Sequence, residues 1–273
     1  MQRTFDMIAF LRGALAEDIG EGDVTSNATI PADMQARFAM NAREMMVACG
    51  LIFLPDLFKL LDPRVQVSIK VQEGTKVMPG GTLAVIEGPA RALLAGERTA
   101  LNLVQQLSAT ATLTRKYVDA VSGTRAEVAD TRKTIPGMRV LQKYAVQAGG
   151  GKNHRLGLFD AVLIKDNHIA VAGGVAAAVK AAKTTGLSVE VEVDTLKQLD
   201  EALEAGADII LLDNMDNATL RKAVKRTAGR AKLEASGNVS LETIRRIAKT
   251  GVDWISVGKL THSAPAVDIG LDW

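Results

Sequence analysis

The chain has 273 residues, 47% apolar and 23% charged, the profile of a globular protein with a sizeable core. Its 33 Lys and Arg against 31 Asp and Glu leave a net charge of +2, so no broad basic face remains for nucleic acid or an anionic membrane surface. The single cysteine, Cys49, excludes an internal disulfide, and no Cys/His cluster has structural-zinc spacing. No stretch has the apolar length of a signal-peptide core or a membrane span, so a cytoplasmic protein is expected.

The polar–apolar spacing from about residue 4 to 16 predicts an amphipathic helix, followed by the acidic loop EDIGEGDVTS with Asp23, Thr25 and Ser26 as turn or cap residues. Glu17, Asp18, Glu21 and Asp23 read as a solvated acidic turn rather than a cation site. Strands are expected in QARFAMNAREMMVACG, a helix over 51–62, and antiparallel half-exposed strands in VQVSIKVQEGTKVMPGGTLAVIEG. That hairpin is similar to a lipoyl carrier, but its PGG turn offers no lysine, so it is read as scaffold. Residues 91–122 are strongly helical, with Leu93, Leu94, Leu101, Leu103, Val104 and Leu107 as core candidates.

After Gly123 short β-branched runs (EVAD, AVLIK, SVEVEVD, DIILLDN, AKLEAS, WISVG) alternate with helical stretches, the last capped at Ser240. The later strand ends, Lys165, Glu192, Asp213, Ser236 and Gly258, lie 21 to 27 residues apart, one βα unit each. Such alternation predicts a parallel sheet with right-handed crossovers, and five or six units can form a barrel short of the usual eight. The fold class is therefore α/β.

In such barrels the strand C-termini and following loops build the active site. Here those ends carry Arg132 and Lys133, Lys165 and Asp166, Glu192 and Asp194, Asp213 and Asn214, then Ser236-Gly237-Asn238 and Val257-Gly258. Buried strand ends do not collect charges of both signs unless these pair or bind something. The segment from Asp130 to His168 is rich in cations: Arg132, Lys133, Arg139, Lys143, Lys152, Arg155 and Lys165, with His154 and His168. A pocket for a small polyanion follows. The Ser236–Asn238 and Gly258 loops stand where barrels hold phosphate on backbone N–H groups, so the ligand is a phosphorylated, multiply anionic small molecule. Glu192 and Asp213 would meet a metal-bound diphosphate or sugar hydroxyls.

These strings, together and in this order, resemble the quinolinate phosphoribosyltransferase family: ALAEDIGEGDVTS, GERTALN, DTRKTIPGMRVLQKYAV, GGGKNHRLGLFDAVLIKDNH, VEVEVD, ILLDN, EASGN and GVDWISVGKLTHS. The resemblance implies an N-terminal α/β sandwich with antiparallel strands over residues 1–107, with the tail 265–273 packed back on it, and an incomplete α/β barrel over 108–264. It implies a homodimer in which Arg98 reaches the partner's site. It also implies transfer of phosphoribosyl from phosphoribosyl diphosphate to quinolinate with Mg²⁺, releasing diphosphate and carbon dioxide and leaving nicotinate mononucleotide for NAD synthesis. In that resemblance Arg98, Arg132, His154 and Arg155 meet the two substrate carboxylates. Lys133 and Lys165 contact carboxylate, diphosphate or ribose, and Thr131 belongs to the same string. Glu192 and Asp213 hold ribose hydroxyls and Mg²⁺, the ion bound largely through substrate and water. Ser236, Gly237, Asn238 and Gly258 form the 5′-phosphate cradle, and Val257 and Lys259 belong to the substrate-binding set, Lys259 either adding a phosphate contact or pointing to solvent. Lys133, Lys165, Glu192 and Asp213 form the catalytic set. Asn238 replaces a frequent glycine, and Lys259 a usual small residue.

Three other readings remain: a same-fold paralogue of molybdate-transport operons with a different acceptor, a Schiff-base aldolase using Lys165, and a non-catalytic phosphosugar-binding protein. The last would need the cations and cradle but not Glu192 and Asp213. The intact DTRKT and NHR strings favour the quinolinate phosphoribosyltransferase reading over the paralogue.

Overall fold

The computed structural model describes residues 5–273. In chain order the elements begin with α1 (Met7–Ile19), α2 (Val24–Thr29), β1 (Gln35–Ala42), β2 (Met46–Val47) and, after a 3-10 turn, α3 (Leu54–Leu61). Next come β3 (Gln66–Ile69), β4 (Lys76–Val77), β5 (Thr82–Pro89) and the long α4 (Ala90–Val121). Then follow β6 (Glu127–Ala129), α5 (Arg139–Ala148), β7 (Val162–Ile164), α6 (Asp166–Ala172), α7 (Val175–Lys183), β8 (Val189–Val193) and α8 (Leu196–Glu204). The chain closes with β9 (Ile209–Asp213), α9 (Asn217–Thr227), β10 (Lys232–Ser236), α10 (Leu241–Ala248), β11 (Trp254–Ser256), α11 (Lys259–His262) and β12 (Ile269–Asp272).

Two compact units result: among the described residues, those up to 113, with 140–149 and 264–273, form the first, and 114–139 with 150–263 the second. The division falls after residue 113 rather than after residue 107, in both cases within α4. Helix α5 clusters with the first unit instead of the barrel, because Leu141 and Ala145 are buried in the first unit's apolar cluster.

The first unit holds an antiparallel sheet in the order β12-β1-β5-β3. Strand β1 alternates exposed and buried residues, with Ala36, Phe38, Met40 and Ala42 turned to the core. Asp23 accepts a hydrogen bond from the Ser26 N–H at 2.9 Å, so this acidic-loop residue caps α2. Helix α1 runs to Ile19 rather than stopping near residue 16, and Gly20, at φ +53°, ends it. Glu73 accepts the backbone N–H groups of Gly50 and Leu51 at 2.7 and 2.8 Å, closing the turn before α3. Beside it, Cys49 is fully buried, and burial with the Glu73 charge pushes its thiol pKa up, so it behaves as a small hydrophobe.

In the second unit six parallel strands run in the order β6-β11-β10-β9-β8-β7, the sheet of a partial barrel. Val189, Val191 and Val193 of β8 are buried together on one face, and Glu190 and Glu192 share the other. The helical stretch expected between AVLIK and SVEVEVD is two helices, α6 and α7, separated by Gly173 and Gly174. Within the cation-rich segment, RVLQKYAVQA forms α5, whose apolar spacing is masked by its flanking basic and glycine residues.

The close approach of α3 and α4 rests on Gly96, where an added Cβ would lie 2.8 Å from the Phe58 ring and 2.7 Å from Leu61. Alanine there gains ~1 kcal/mol of helix propensity, but overpacking against fully buried Phe58 costs ~1–3 kcal/mol. Gly96→Ala is therefore expected to lower the denaturant midpoint, and to raise it when made in a Phe58→Leu background, where the ring is gone.

Candidate active site

Residues at and just beyond the C-terminal ends of β6 to β11 line a cavity of about 770 Å³. It brings together Thr131, Arg132, Lys133, His154, Arg155, Lys165, Glu192, Asp213, Ser236, Gly237, Asn238, Val257, Gly258 and Lys259, from six strands and their loops. Of the site residues that the resemblance implies, Arg98 is not in the lining: it is exposed on α4, in the first unit. Arg139, Lys143, Lys152, Asp166, His168 and Asp194, also singled out in the sequence, do not line the cavity either.

Local bonds fix the loops that carry these side chains. After β6, the Lys133 N–H donates to Thr131 Oγ1 at 3.0 Å, and the Lys133 carbonyl accepts from the Thr261 hydroxyl at 2.7 Å. Gly258 lets the Lys133 chain pass close by, since a Cβ there would stand 3.1 Å from Lys133 Cδ. Asp130, fully buried, accepts the His154 N–H at 2.8 Å. The following loop is closed by Asp160, which accepts the N–H groups of Leu156 and Gly157 at 2.6 and 2.9 Å. Arg139 donates to the Leu156 carbonyl at 3.1 Å.

The cation side of the cavity is under-bonded. The Nε atoms of Arg132 and Arg155 are buried without a hydrogen-bond partner among the described residues. Burial and the neighbouring Arg132 depress the Arg155 pKa, with Glu190 and Asp160 acting in the opposite sense. Two guanidinium groups held this close suit a ligand with two carboxylates. Across the cavity, Lys165 Nζ pairs with Glu192 Oε2 at 2.5 Å, and the Asn214 amide donates to Asp213 at 2.7 Å.

The third edge is backbone. Gly237 has φ +97°, and an added Cβ would lie 2.1 Å from Asn214 Oδ1. Asn238 has φ +51°, the left-handed region that glycine and asparagine tolerate best, so its replacement of a frequent glycine keeps the loop's shape. Lys259 is exposed at the start of α11, on the rim.

Strand alternation identifies cavity residues that reading only strand ends missed. Two positions before Lys165, Asp213 and Ser236 on their strands stand Leu163, Leu211 and Glu234, and all three line the cavity, as does Ser256. Glu190, two before Glu192, is 3% exposed beneath it. The VEVEV period carried that signal. Asn214 and His262 also line the cavity.

Glu234 is fully buried, and burial together with the Glu190 charge raises its pKa above the usual carboxylate range. Its unfolded-state carboxyl ionises at lower pH than the folded one, so it subtracts stability as pH rises from the unfolded value through the folded value. Glu234→Gln is therefore expected to exceed wild-type stability at about pH 7 and to lose the difference near pH 4, read by denaturant midpoints at the two pH values. Gly237→Ala is expected to lower stability at any pH, through strain at positive φ and collision with Asn214.

The N-terminal domain model of quinolinate phosphoribosyl transferase matches residues 23–108, and the C-terminal domain model residues 110–272. A nicotinate-nucleotide pyrophosphorylase [carboxylating] of Mycobacterium leprae is 47% identical over 272 residues, 96% of this chain and 95% of that protein. The probable enzyme of the same name from Bacillus subtilis is 44% identical over 259 residues, 94% of this chain and 89% of that protein. The solved nicotinate-nucleotide pyrophosphorylase from Francisella tularensis superposes with a TM-score of 0.95 at 43% identity, covering 99% of this chain and 97% of that one. Over nearly its whole length, the chain belongs to the quinolinate phosphoribosyltransferase family.

Proposed function

We propose that this protein transfers the phosphoribosyl group of phosphoribosyl diphosphate to quinolinate and decarboxylates the adduct to nicotinate mononucleotide. The observation that carries this is the pair of buried, unpartnered guanidinium nitrogens of Arg132 and Arg155 in a cavity that also holds Lys133, Lys165 and two carboxylates. Adjacent carboxylates on an aromatic acceptor need such fixed bidentate donors.

In the reaction the pyridine nitrogen attacks the ribose C1′, and the C1′–oxygen bond to diphosphate breaks with its electron pair leaving on diphosphate. Lys133 and Lys165 balance charge on the diphosphate and the acceptor carboxylate. Glu192 and Asp213 orient the ribose hydroxyls and stabilise positive charge at C1′. The Ser236–Asn238 turn and Gly258 receive the 5′-phosphate, with Val257, Lys259 and Thr131 completing the wall. In the second step the bond from the ring to the carboxylate beside the nitrogen breaks, its electron pair stays on that ring carbon, stabilised by the adjacent positive nitrogen, and carbon dioxide leaves. A solvent proton replaces it on carbon. No covalent enzyme intermediate is needed.

Glu192 and Asp213 offer only hard oxygen donors, which fit Mg²⁺. Each already has one protein partner, so the ion's remaining ligands would be substrate oxygens and water. When bound, Mg²⁺ would neutralise charge on the diphosphate. Arg98, whose side chain is exposed on α4, would be lent to the site of a second copy in a homodimer. A cytoplasmic setting accords with a described structure in which no helix is long and apolar enough to cross a membrane.

A Schiff-base role for Lys165 is disfavoured by its ion pair with Glu192, which replaces the apolar surroundings that activate such amines. The test is a direct assay with quinolinate, phosphoribosyl diphosphate and Mg²⁺, following nicotinate mononucleotide and carbon dioxide together. Equal amounts of both, dependent on all three components, are expected, and borohydride should trap no adduct. Product absent from folded protein that still binds phosphoribosyl diphosphate would reject the acceptor. Lys133→Ala and Arg155→Ala should each lower kcat/KM for quinolinate by at least about a hundredfold with the fold retained. Near-wild-type values for either would overturn the site assignment.

A further inference from the structure

Beneath the cavity, β8 and β10 each bury a carboxylate, and both approach one imidazole. His154 Nε2 lies 2.8 Å from Glu190 Oε2 and 3.5 Å from Glu234 Oε2. Glu190 is 3% exposed and Glu234 0%, and Glu190 Oε1 has no hydrogen-bond partner. The other ring nitrogen, Nδ1, accepts the backbone N–H of Arg155 at 2.8 Å. Two buried acids are an expensive feature that hydrophobic residues of similar size would avoid, so they call for an account beyond packing.

The three side chains have the composition of a cation site, their ligand atoms all within 4.8 Å of one another. The Nδ1 contact argues against that use. A backbone N–H can only donate, so Nδ1 must keep its lone pair, and in the neutral ring the proton then sits on Nε2. Nε2 has no lone pair left for a metal, and its hydrogen is directed at Glu190. A doubly protonated ring is disfavoured for the same reason, because an Nδ1–H would face the Arg155 N–H.

We propose that Glu190, supported by Glu234, is a positioning residue for the acceptor-binding arginine: it locks His154 in the Nε2–H tautomer, so that Nδ1 can anchor the Arg155 backbone. His154 then acts through Arg155 rather than by giving a ring nitrogen to the acceptor. The negative charge of Glu190 also offsets the mutual repulsion of Arg132 and Arg155. Glu234, protonated in its buried setting, adds a second polar wall to the ring without a second charge. The stability that Glu234 costs near neutral pH is, on this account, spent on orientation.

The identity of the acceptor rests on the proposed reaction, but the tautomer does not, and the test separates them. In full-length protein labelled with ¹⁵N-histidine, His154 is assigned against His168 and His262 by its loss in His154→Gln. The expected wild-type spectrum has protonated Nε2 and unprotonated Nδ1 across about pH 6 to 8, unchanged by a chelator. An imidazolium, an Nδ1–H tautomer or a chelator-sensitive signal would overturn the proposal without any variant or assay. In Glu190→Gln the amide can donate as well as accept, so the single-tautomer signature should be lost. KM for quinolinate should rise about tenfold, with KM for phosphoribosyl diphosphate and kcat little changed. A Glu190→Gln protein with the wild-type imidazole spectrum and wild-type KM would equally sink it. A wild-type protein that shows the expected tautomer but makes no nicotinate mononucleotide would retain the positioning cluster and reject the reaction.

Discussion

Charge taken out of water governs the second unit. A carboxylate or guanidinium inside a protein carries a penalty of several kcal/mol unless opposite charges and hydrogen bonds surround it. The inward-facing positions of the strands nevertheless carry Glu190, Glu192, Asp213 and Glu234, against Lys165 and the loop cations Arg132, Lys133 and Arg155. Some of these pair within the protein, as Lys165 does with Glu192. Others, such as the buried Nε atoms of the two arginines, are left for a ligand to complete. The valine face of β8 and the packed helices supply the burial that makes such an arrangement stable, so scaffold and site are two faces of the same strands.

Much of this was legible in the sequence, for a physical reason. Parallel strands buried on both faces read as short β-branched runs, and a charge that ends such a run stands out against them. Lys165, Glu192 and Asp213 were found that way. The deeper layer was less visible because Glu190 and Glu234 sit inside their strands rather than at the ends, where the site of such a barrel is sought. Only the two-residue period separates their face from the valines. Helix α5 escaped notice because basic residues and glycines crowd both its ends, and the residues that bury it, Leu141 and Ala145, belong to the core of the first unit. Nor does sequence spacing disclose that a histidine has both nitrogens engaged, since the partners, Glu190 and the Arg155 amide, come together only in the folded strands and loop.

Backbone conformation explains one departure from the family pattern, Asn238. Asn238 occupies a left-handed position next to Gly237, and the Asn214 side chain fills the space where a Cβ on Gly237 would go. The loop is thus held by what two asparagines tolerate and one glycine leaves open, and its backbone groups stay accessible to the cavity.

The pairing of β12 with β1 has a consequence for how the molecule is made. Met40 pairs with Leu271 and Ala42 with Ile269, so the first unit's sheet gains its outer strand only from residues translated after the entire second unit. At ribosomal speeds of roughly 5–20 residues per second, residues 114–263 take on the order of ten seconds to emerge. For that interval one edge of β1 is an open template for other strands. The nascent chain must therefore carry an unfinished antiparallel sheet while the parallel one is being assembled.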